Sequence, residues 1–170
     1  MFIEATKLMG LPVGARDTQA KVGVIRQILV DPQNGSLLGF LVQTNGFFTP
    51  QKALSIIDVI DWDPNGLVTE SIDNLVDPLE IVRLKEVIAK NIYLLGMKAK
   101  TESGIGLGEV ENFLIDTDTQ SVTKYYLKNL LGTNRILMSD KVFQIDKAII
   151  FTDDVVEPPE GIVGTPALDN

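Results

Sequence analysis

Carboxylates are the side chains of this chain with the most capacity for chemistry, because it contains no histidine and no cysteine. That composition excludes imidazole bases, thiol nucleophiles, disulfides and every zinc site built on Cys or His. Asp58, Asp61 and Asp63 stand close enough in sequence to act as acid and base, but nothing in the pattern marks them as buried. We interpret them as a solvated strand face, and keep a carboxylate-based or metal-dependent enzyme only as a third hypothesis.

Two loops resemble ligand sites without completing the pattern. The Asp-Thr-Asp start of 116–121 is typical of a calcium loop, but Ser121 stands where that loop has glycine and Leu127 where it has glutamate. The glycine-rich run 104–108 lacks the G-x-G-x-x-G spacing and leads into a strand-like segment instead of a helix. The sequence therefore predicts two ordinary turns, with no catalytic residue, cofactor site or metal site.

Aromatic residues beside lysines form the candidate binding surface. Tyr125 and Tyr126 are flanked by lysines, and a second aromatic pair precedes Pro50. Since adjacent strand residues face opposite sides, one ring of each pair should fill the core and the other should point outward. Outward rings near basic groups can anchor a protein or stack on RNA bases, although they can also bury a contact between domains. The predicted interaction surface comprises Lys124, Tyr126, Lys128, Phe47 and Phe48.

Overall composition indicates a folded, acidic protein. Of the 170 residues, 45% are hydrophobic and 22% are charged, and the formal net charge is −8. This balance argues against binding nucleic acid through a basic face. The first residues lack the pattern of a signal peptide, and no window approaches the roughly 18 apolar residues of a membrane span. The expected location is the cytoplasm.

A long internal repeat sets the domain organisation. The segment Val22–Asp31 returns as Leu107–Asp116, a shift of 85 residues, which is a whole small domain and not a solenoid unit. We expect a first domain at 1–76, a connecting helix at 77–91, a second domain at 92–156 and a C-terminal tail with little fixed structure at 157–170. Domains this small are marginally stable alone, so they should pack against each other or a partner.

The order of elements predicts a mainly β fold with one helix. In the first copy, turn residues 31–35 separate two β-branched runs and predict a hairpin, followed by an edge strand over 47–50 and another strand over 56–62. Asp77 and Pro78 suit the start of a helix whose apolar stripe contains Leu84. This helix should pack on a barrel or between the domains, because its apolar stripe must be covered.

The repeated order resembles the PRC-barrel family. It runs from Leu8-Met9-Gly10-Leu11-Pro12-Val13 through a polar turn to the strand 22–31 and its return strand. The second copy matches through Leu95-Gly96, Glu102-Ser103-Gly104 and the strand 107–116. The resemblance implies two small PRC-type β-barrels in tandem, joined by the helix, with contacts to proteins or ribonucleoprotein. It supplies no catalytic residues.

Three functions follow in order of support. The first is a non-enzymatic protein-interaction or adaptor module whose partner is unknown, with self-association through barrel edges as an option. The second is an RNA- or ribosome-associated assembly factor, against which the net charge of −8 weighs. The third is the carboxylate-based or metal-dependent enzyme. Nucleic acid and membrane are not expected partners.

Overall fold

The computed structural model describes residues 1–46, 48–132 and 134–156, and the chain is mainly β, as predicted. Two seven-stranded sheets account for the strands, and two α-helices accompany them in the described residues. The helices are α1 (Ala5–Leu8) and α2 (Val82–Ala89). The strands are β1 (Phe2–Glu4), β2 (Pro12–Ala15), β3 (Ala20–Val30), β4 (Leu37–Thr44), β5 (Lys52–Ser55), β6 (Val59–Asp63), β7 (Gly66–Thr69), β8 (Leu75–Val76), β9 (Lys98–Thr101), β10 (Gly106–Asp116), β11 (Ser121–Lys128), β12 (Asn134–Met138), β13 (Val142–Ile145) and β14 (Ile149–Phe151).

The first sheet curls around an apolar interior. Its strand order is β6-β7-β2-β3-β4-β5-β8, with β2 and β7 parallel and the other pairs antiparallel. Irregular steps interrupt the β3–β4 pairing at two places, and such bulges increase twist and let a sheet bend. Phe40 is fully buried and meets the edge of Trp62 with ring centres 5.9 Å apart. The bend therefore encloses an aromatic core.

The second sheet repeats this topology. Its order is β13-β14-β9-β10-β11-β12, with β9 and β14 parallel, and β1 from the N-terminus adds to β10. Tyr125 takes the place of Phe40 and packs against Phe113 and Phe151, at ring-centre distances of 6.5 and 5.7 Å. The sequence repeat therefore corresponds to two copies of one strand arrangement.

A glycine in each copy lets two strands approach closely. A Cβ atom on Gly23 would lie 2.6 Å from the carbonyl oxygen of Gln43, and one on Gly108 would lie 2.1 Å from that of Lys128. These two contacts are the same contact shifted by the 85 residues of the repeat. The glycine of the repeated motif is thus explained by a backbone carbonyl on the neighbouring strand.

The two sheets meet through their hairpin turns in a nearly symmetric contact. Ser36 and Ser121 form an antiparallel bridge. Two hydrogen bonds flank it: Leu37 N–H donates to Gln120 O at 2.7 Å, and Val122 N–H donates to Gly35 O at 3.0 Å. Each donor of one turn corresponds to the donor of the other after the 85-residue shift, as across a two-fold axis. Leu37 and Val122 are each only 3% exposed, and the buried apolar residues of both sheets form one cluster.

The segment that precedes each sheet packs on the other sheet. Before the first sheet, β1 pairs with β10, and Thr6 N–H donates to Asn112 Oδ1 at 3.1 Å. Before the second sheet, α2 contacts β3 and β4, and Arg83 binds the largely buried Asp31 at 2.6 Å. This reciprocal exchange ties the copies together beyond their turn contact.

The predicted helix at 77–91 is divided into two pieces. Asp77 accepts a hydrogen bond from Leu79 N–H at 2.9 Å and caps a 3₁₀ turn over Pro78–Glu80. The α-helix itself begins at Val82, and Leu84 is buried on its inner face. The capping signal was therefore correct, but it begins a 3₁₀ turn, and the helix covers its apolar face against the first sheet.

Two strand expectations of the first copy need correction. The described part of 47–50 is a turn and irregular loop, since β5 begins at Lys52 and Phe47 lies outside the described residues. Thr49 Oγ1 donates to Gly46 O at 3.0 Å, and Pro50 has no N–H to give to a ladder. The segment 56–62 begins as a 3₁₀ turn over Ile56–Asp58, so its strand starts only at Val59.

A carboxylate–serine contact of the first copy returns in the second with its partners exchanged. The Ser71 hydroxyl donates to Asp17 at 2.7 Å and is the main cause that lowers the pKa of Asp17. In the second copy, Ser103 N–H donates to Asp153 at 2.9 Å and lowers the pKa of that carboxyl. In the first copy, the contact joins the turn after β2 to the 3₁₀ turn after β7. In the second copy, it joins the turn after β9 to the 3₁₀ turn after β14.

These contacts predict an acid-sensitive fold. A carboxyl group whose pKa is lower in the folded state than in the unfolded state stabilises the fold at pH values above the unfolded-state pKa. This contribution is lost as the pH falls through the folded-state pKa. We expect the free energy of unfolding to fall as the pH decreases from about 5 to about 3, and Asp17→Asn to reduce that slope. Urea unfolding at a series of pH values measures both. An Asp17→Asn slope equal to that of the wild type would contradict the assignment.

Candidate interaction surface

Strand β11 places its two tyrosines on opposite sides of the second sheet, as the alternation predicted. Tyr125 is 1% exposed, and burial raises the pKa of its phenol. Tyr126 is half-buried and shares the outer side of the strand with Lys124 and Lys128. Three of the five predicted surface residues therefore lie on one face of one strand.

The neighbouring strand β12 adds exposed apolar side chains to this face. Its pairing places Met138 opposite Lys124 and Ile136 opposite Tyr126. Ile136 is 62% exposed and Met138 48% exposed. Sequence analysis did not select these two residues, although their alternate positions in Asn134–Met138 were the available signal.

A cleft continues the same face at the end of β11. It has a volume of about 650 Å³ and is lined by Lys98, Lys100 and Lys128, with Glu109 as the one carboxylate and Leu130 at the loop that follows β11. The backbone of the glycine run 104–108 forms another wall, and this run leads into β10 as the turn prediction required. We call the combined region the second-sheet face; it comprises Lys98, Lys100, Lys124, Tyr126, Lys128, Leu130, Ile136 and Met138.

On the second-sheet face, lysines surround an apolar centre and outnumber the carboxylates. Lys128 contacts Glu111 at 3.5 Å, and both side chains are about half exposed. Tyr126 also borders a small recess with Glu4 and Thr6 of the N-terminal segment. Four lysines against Glu109, Glu111 and the neighbouring Glu4 leave this face with an excess of one positive charge, whereas the whole chain carries −8.

The corresponding positions of the first sheet are buried. Leu41 and Ala53 occupy the positions that correspond to Tyr126 and Ile136, and they pair across the strands in the same way. Leu41 is 4% exposed and Ala53 is fully buried. The two copies therefore share a topology but differ in whether this face is covered.

The predicted aromatic pair of the first copy does not join the second-sheet face. Phe48 is completely exposed, and it lies in the loop between β4 and β5 of the first sheet. Phe47 lies outside the described residues. The structure thus divides the predicted surface between two sheets.

The carboxylates considered for chemistry lie on surface elements. Asp61 and Asp63 are exposed on β6, and Asp63 accepts a hydrogen bond from Asn65 N–H at 2.8 Å, which closes a turn. Asp116 likewise accepts from Asp118 N–H at 3.0 Å in the predicted hairpin turn. Within 1–46, 48–132 and 134–156, no group of three or more Asp, Glu, His or Cys side chains is arranged to hold a metal ion.

Comparison with known families bears on the first sheet. The sequence order predicted a small β-barrel in this region, and the structure has a curled sheet of β2–β8 that contains a parallel β2–β7 pair. Residues 1–76 match the family model of the PRC-barrel domain. The matched PRC-barrel region ends at Val76, the last residue of β8, so it contains the whole first sheet. For the second sheet, PRC-barrel membership stays a prediction that rests on its strand order.

A comparison with curated proteins adds no further identification. No curated protein matches the chain. Of the helices that the structure describes, none has the length and apolar character needed to cross a lipid bilayer.

Proposed function

We propose that this protein is a non-enzymatic interaction module that holds a partner protein on its second-sheet face and acts in the cytoplasm. The observation that carries the proposal is the exposure of Ile136 beside Tyr126, with Met138 next to them, because the first-copy counterparts of Ile136 and Tyr126 are the buried Ala53 and Leu41. Apolar side chains in such a cluster favour association when a partner removes them from water. We infer that the first copy serves mainly as the scaffold.

The chemistry of the face defines the partner. Tyr126, Ile136 and Met138 supply the apolar centre where binding energy concentrates, and tyrosine is common among the residues that dominate interfaces. Lysines surround this centre, and rim charges contribute to selectivity and to the association rate. The partner should therefore present apolar side chains flanked by carboxylates.

Paired substitutions test the proposal in a native extract. The double substitution Tyr126→Ser with Ile136→Ser removes the apolar centre, and two such truncations at about 2 kcal/mol each predict at least a tenfold loss of bound partner. Ile60→Ser is the matched control, because Ile60 is 41% exposed on β6 of the first sheet. The measurement is quantitative pull-down at physiological salt, with circular dichroism to verify folding.

Three results would count against this function. Equal recovery of the same partner by the wild type and the double variant places the contact elsewhere on the molecule. Recovery of no protein other than the chain itself leaves only self-assembly. Loss of the partner with Ile60→Ser as well would show that the effect is not specific to the second sheet.

An RNA-associated role is the second candidate, and the four lysines of the second-sheet face are the observation that favours it. If RNA is the partner, affinity should fall steeply with salt, because lysines that neutralise phosphates release counterions. Replacing Lys124 and Lys128 by glutamine should then reduce the slope of log affinity against log salt by about 1 to 2. A flat salt response would exclude this alternative.

A further inference from the structure

In the first sheet, strand β8 closes the edge next to β5. β8 pairs antiparallel with β5, placing Val76 opposite Ala53 and Leu75 opposite Leu54. Ala53 and Leu54 are completely buried. Two aliphatic residues in an extended conformation thus pair with this edge of the sheet.

The corresponding edge of the second sheet is open among the residues that the structure describes. β12 occupies the place of β5, since Ile136 pairs with Tyr126 as Ala53 pairs with Leu41. β12 ends its sheet, with β11 as its one strand neighbour in the described chain. An edge strand presents unpaired backbone N–H and C=O groups to any extended segment of suitable chemistry.

Within the described residues, a shorter connection explains why the second copy does not close this edge in the same way. The sequence Leu75-Val76-Asp77-Pro78 has a counterpart in Val155-Val156-Glu157-Pro158. Thr69 and Phe151 are equivalent anchors, because their carbonyls accept hydrogen bonds from Arg16 and Glu102 N–H at 3.0 Å each.

The connection after this anchor is shorter in the second copy. Five residues separate Thr69 from Leu75, but only three separate Phe151 from Val155. Two residues fewer reduce the reach by about 7 Å. Val155 accordingly ends the 3₁₀ turn Asp153–Val155 and does not lie on β12.

The open edge also lacks the usual protection against pairing. Natural edge strands are commonly blocked by proline or by several charges. β12 contains no proline, and Arg135 is its single charged residue. By contrast, Asp61 and Asp63 stand on β6, the edge strand of the first sheet.

We propose that β12 accepts an extended segment of the partner protein as an additional antiparallel strand, in the manner in which β5 accepts β8. The inference rests on the proposed function and names how the partner binds. The segment fits if it carries two adjacent aliphatic residues with carboxylates beside them, as Leu75-Val76 does between Asp73 and Asp77. Arg135 and the lysines of the second-sheet face complement those carboxylates, and the added backbone hydrogen bonds supply affinity.

A peptide with the sequence of residues 71–79, Ser-Ile-Asp-Asn-Leu-Val-Asp-Pro-Leu, is the probe for the full-length chain. We expect it to slow hydrogen exchange of amides in 134–138 by at least about tenfold at saturation, with exchange in 52–55 unchanged. Ile136→Glu should weaken binding at least tenfold, because it places a carboxylate against an acidic probe. Phe143→Glu is the matched control, since Phe143 is 60% exposed on β13, and it should bind as the wild type does.

Each other outcome overturns the inference. Peptide binding without protection of 134–138 would mean side-chain docking alone, and protection of 142–145 instead would move the site to β13. Absence of peptide binding would exclude a segment with two adjacent aliphatic residues flanked by carboxylates. Protection of 134–138 in the isolated chain would identify the chain's own C-terminal residues or, if it rises with protein concentration, a second copy as the occupant. None of these outcomes alters the pull-down comparison, so the two proposals fail independently.

Discussion

Replacing Gly108 with alanine is expected to lower the free energy of unfolding by about 3 to 5 kcal/mol. Gly108 has φ +100°, a backbone conformation that residues other than glycine rarely adopt. A Cβ atom added at this position would lie 2.1 Å from the Lys128 carbonyl oxygen. Since that oxygen belongs to the adjacent strand β11, relief requires moving backbone and not merely a side chain. Chemical denaturation of the two proteins gives the difference directly.

Two other glycines supply the controls. Gly106 lies two residues away on β10 and has no atom within 4 Å of its would-be Cβ, so Gly106→Ala should change stability by less than about 1 kcal/mol. Gly23→Ala should fall between them, because its Cβ would approach Gln43 O only to 2.6 Å. Equal effects of Gly106→Ala and Gly108→Ala would contradict the close contact between β10 and β11.

Alanine in place of Tyr125 is expected to cost about 3 to 5 kcal/mol of unfolding free energy, whereas Tyr126→Ala should cost less than about 1 kcal/mol. Tyr125 is 1% exposed, and its ring touches Phe113 and Phe151, so removing it leaves a cavity in the core of the second sheet. Tyr126 points to the opposite side of the same strand. Thermal and urea unfolding of both variants measure the difference.

The two tyrosines also separate stability from function. Tyr126→Ala should retain the fold and lose partner binding, while Tyr125→Phe should retain both, since it conserves the buried ring. A Tyr126→Ala protein as unstable as Tyr125→Ala would show that the register of β11 is shifted by one residue, because such a slip exchanges the two faces. Full partner binding by a folded Tyr126→Ala protein would remove this ring from the interface.

Local sequence patterns predicted much of the fold. The turn Asp31-Pro32-Gln33-Asn34-Gly35 joins β3 to β4 as expected, because its signals act within a few residues. Alternation placed Tyr125 inside and Tyr126 outside without any knowledge of the tertiary structure. The repeat of 85 residues then indicated that one strand arrangement occurs twice.

Features that depend on distant partners were not predictable in this way. β1 has only three residues, and it forms because residues 114–116 present a pairing surface more than a hundred positions away. Ile136 and Met138 were not selected as a surface, because whether a strand face is covered depends on distant segments, as when α2 packs against β3 and β4. Whether a sheet edge is closed likewise depends on a segment such as β8. Pairs of aliphatic residues are too common for sequence alone to reveal which edge they close.

Duplication gives these differences a functional meaning. The reciprocal contacts of β1 with β10 and of α2 with β3 tie the two copies together. Once the first copy supplies a closed, covered sheet, the outer side of the second is free to bear exposed apolar side chains and lysines. The same strand arrangement thus serves as scaffold in one copy and, as we propose, as a binding surface in the other.

Hydrogen exchange of the full-length chain, alone and bound to the protein recovered from native extract, tests the central claim most directly. Binding is expected to slow exchange in 121–128 and 134–138 of the second sheet and to leave 37–44 and 52–55 of the first sheet unchanged. Protection confined to the first sheet, or no change on β11 and β12, would contradict the assignment of the second-sheet face as the binding site.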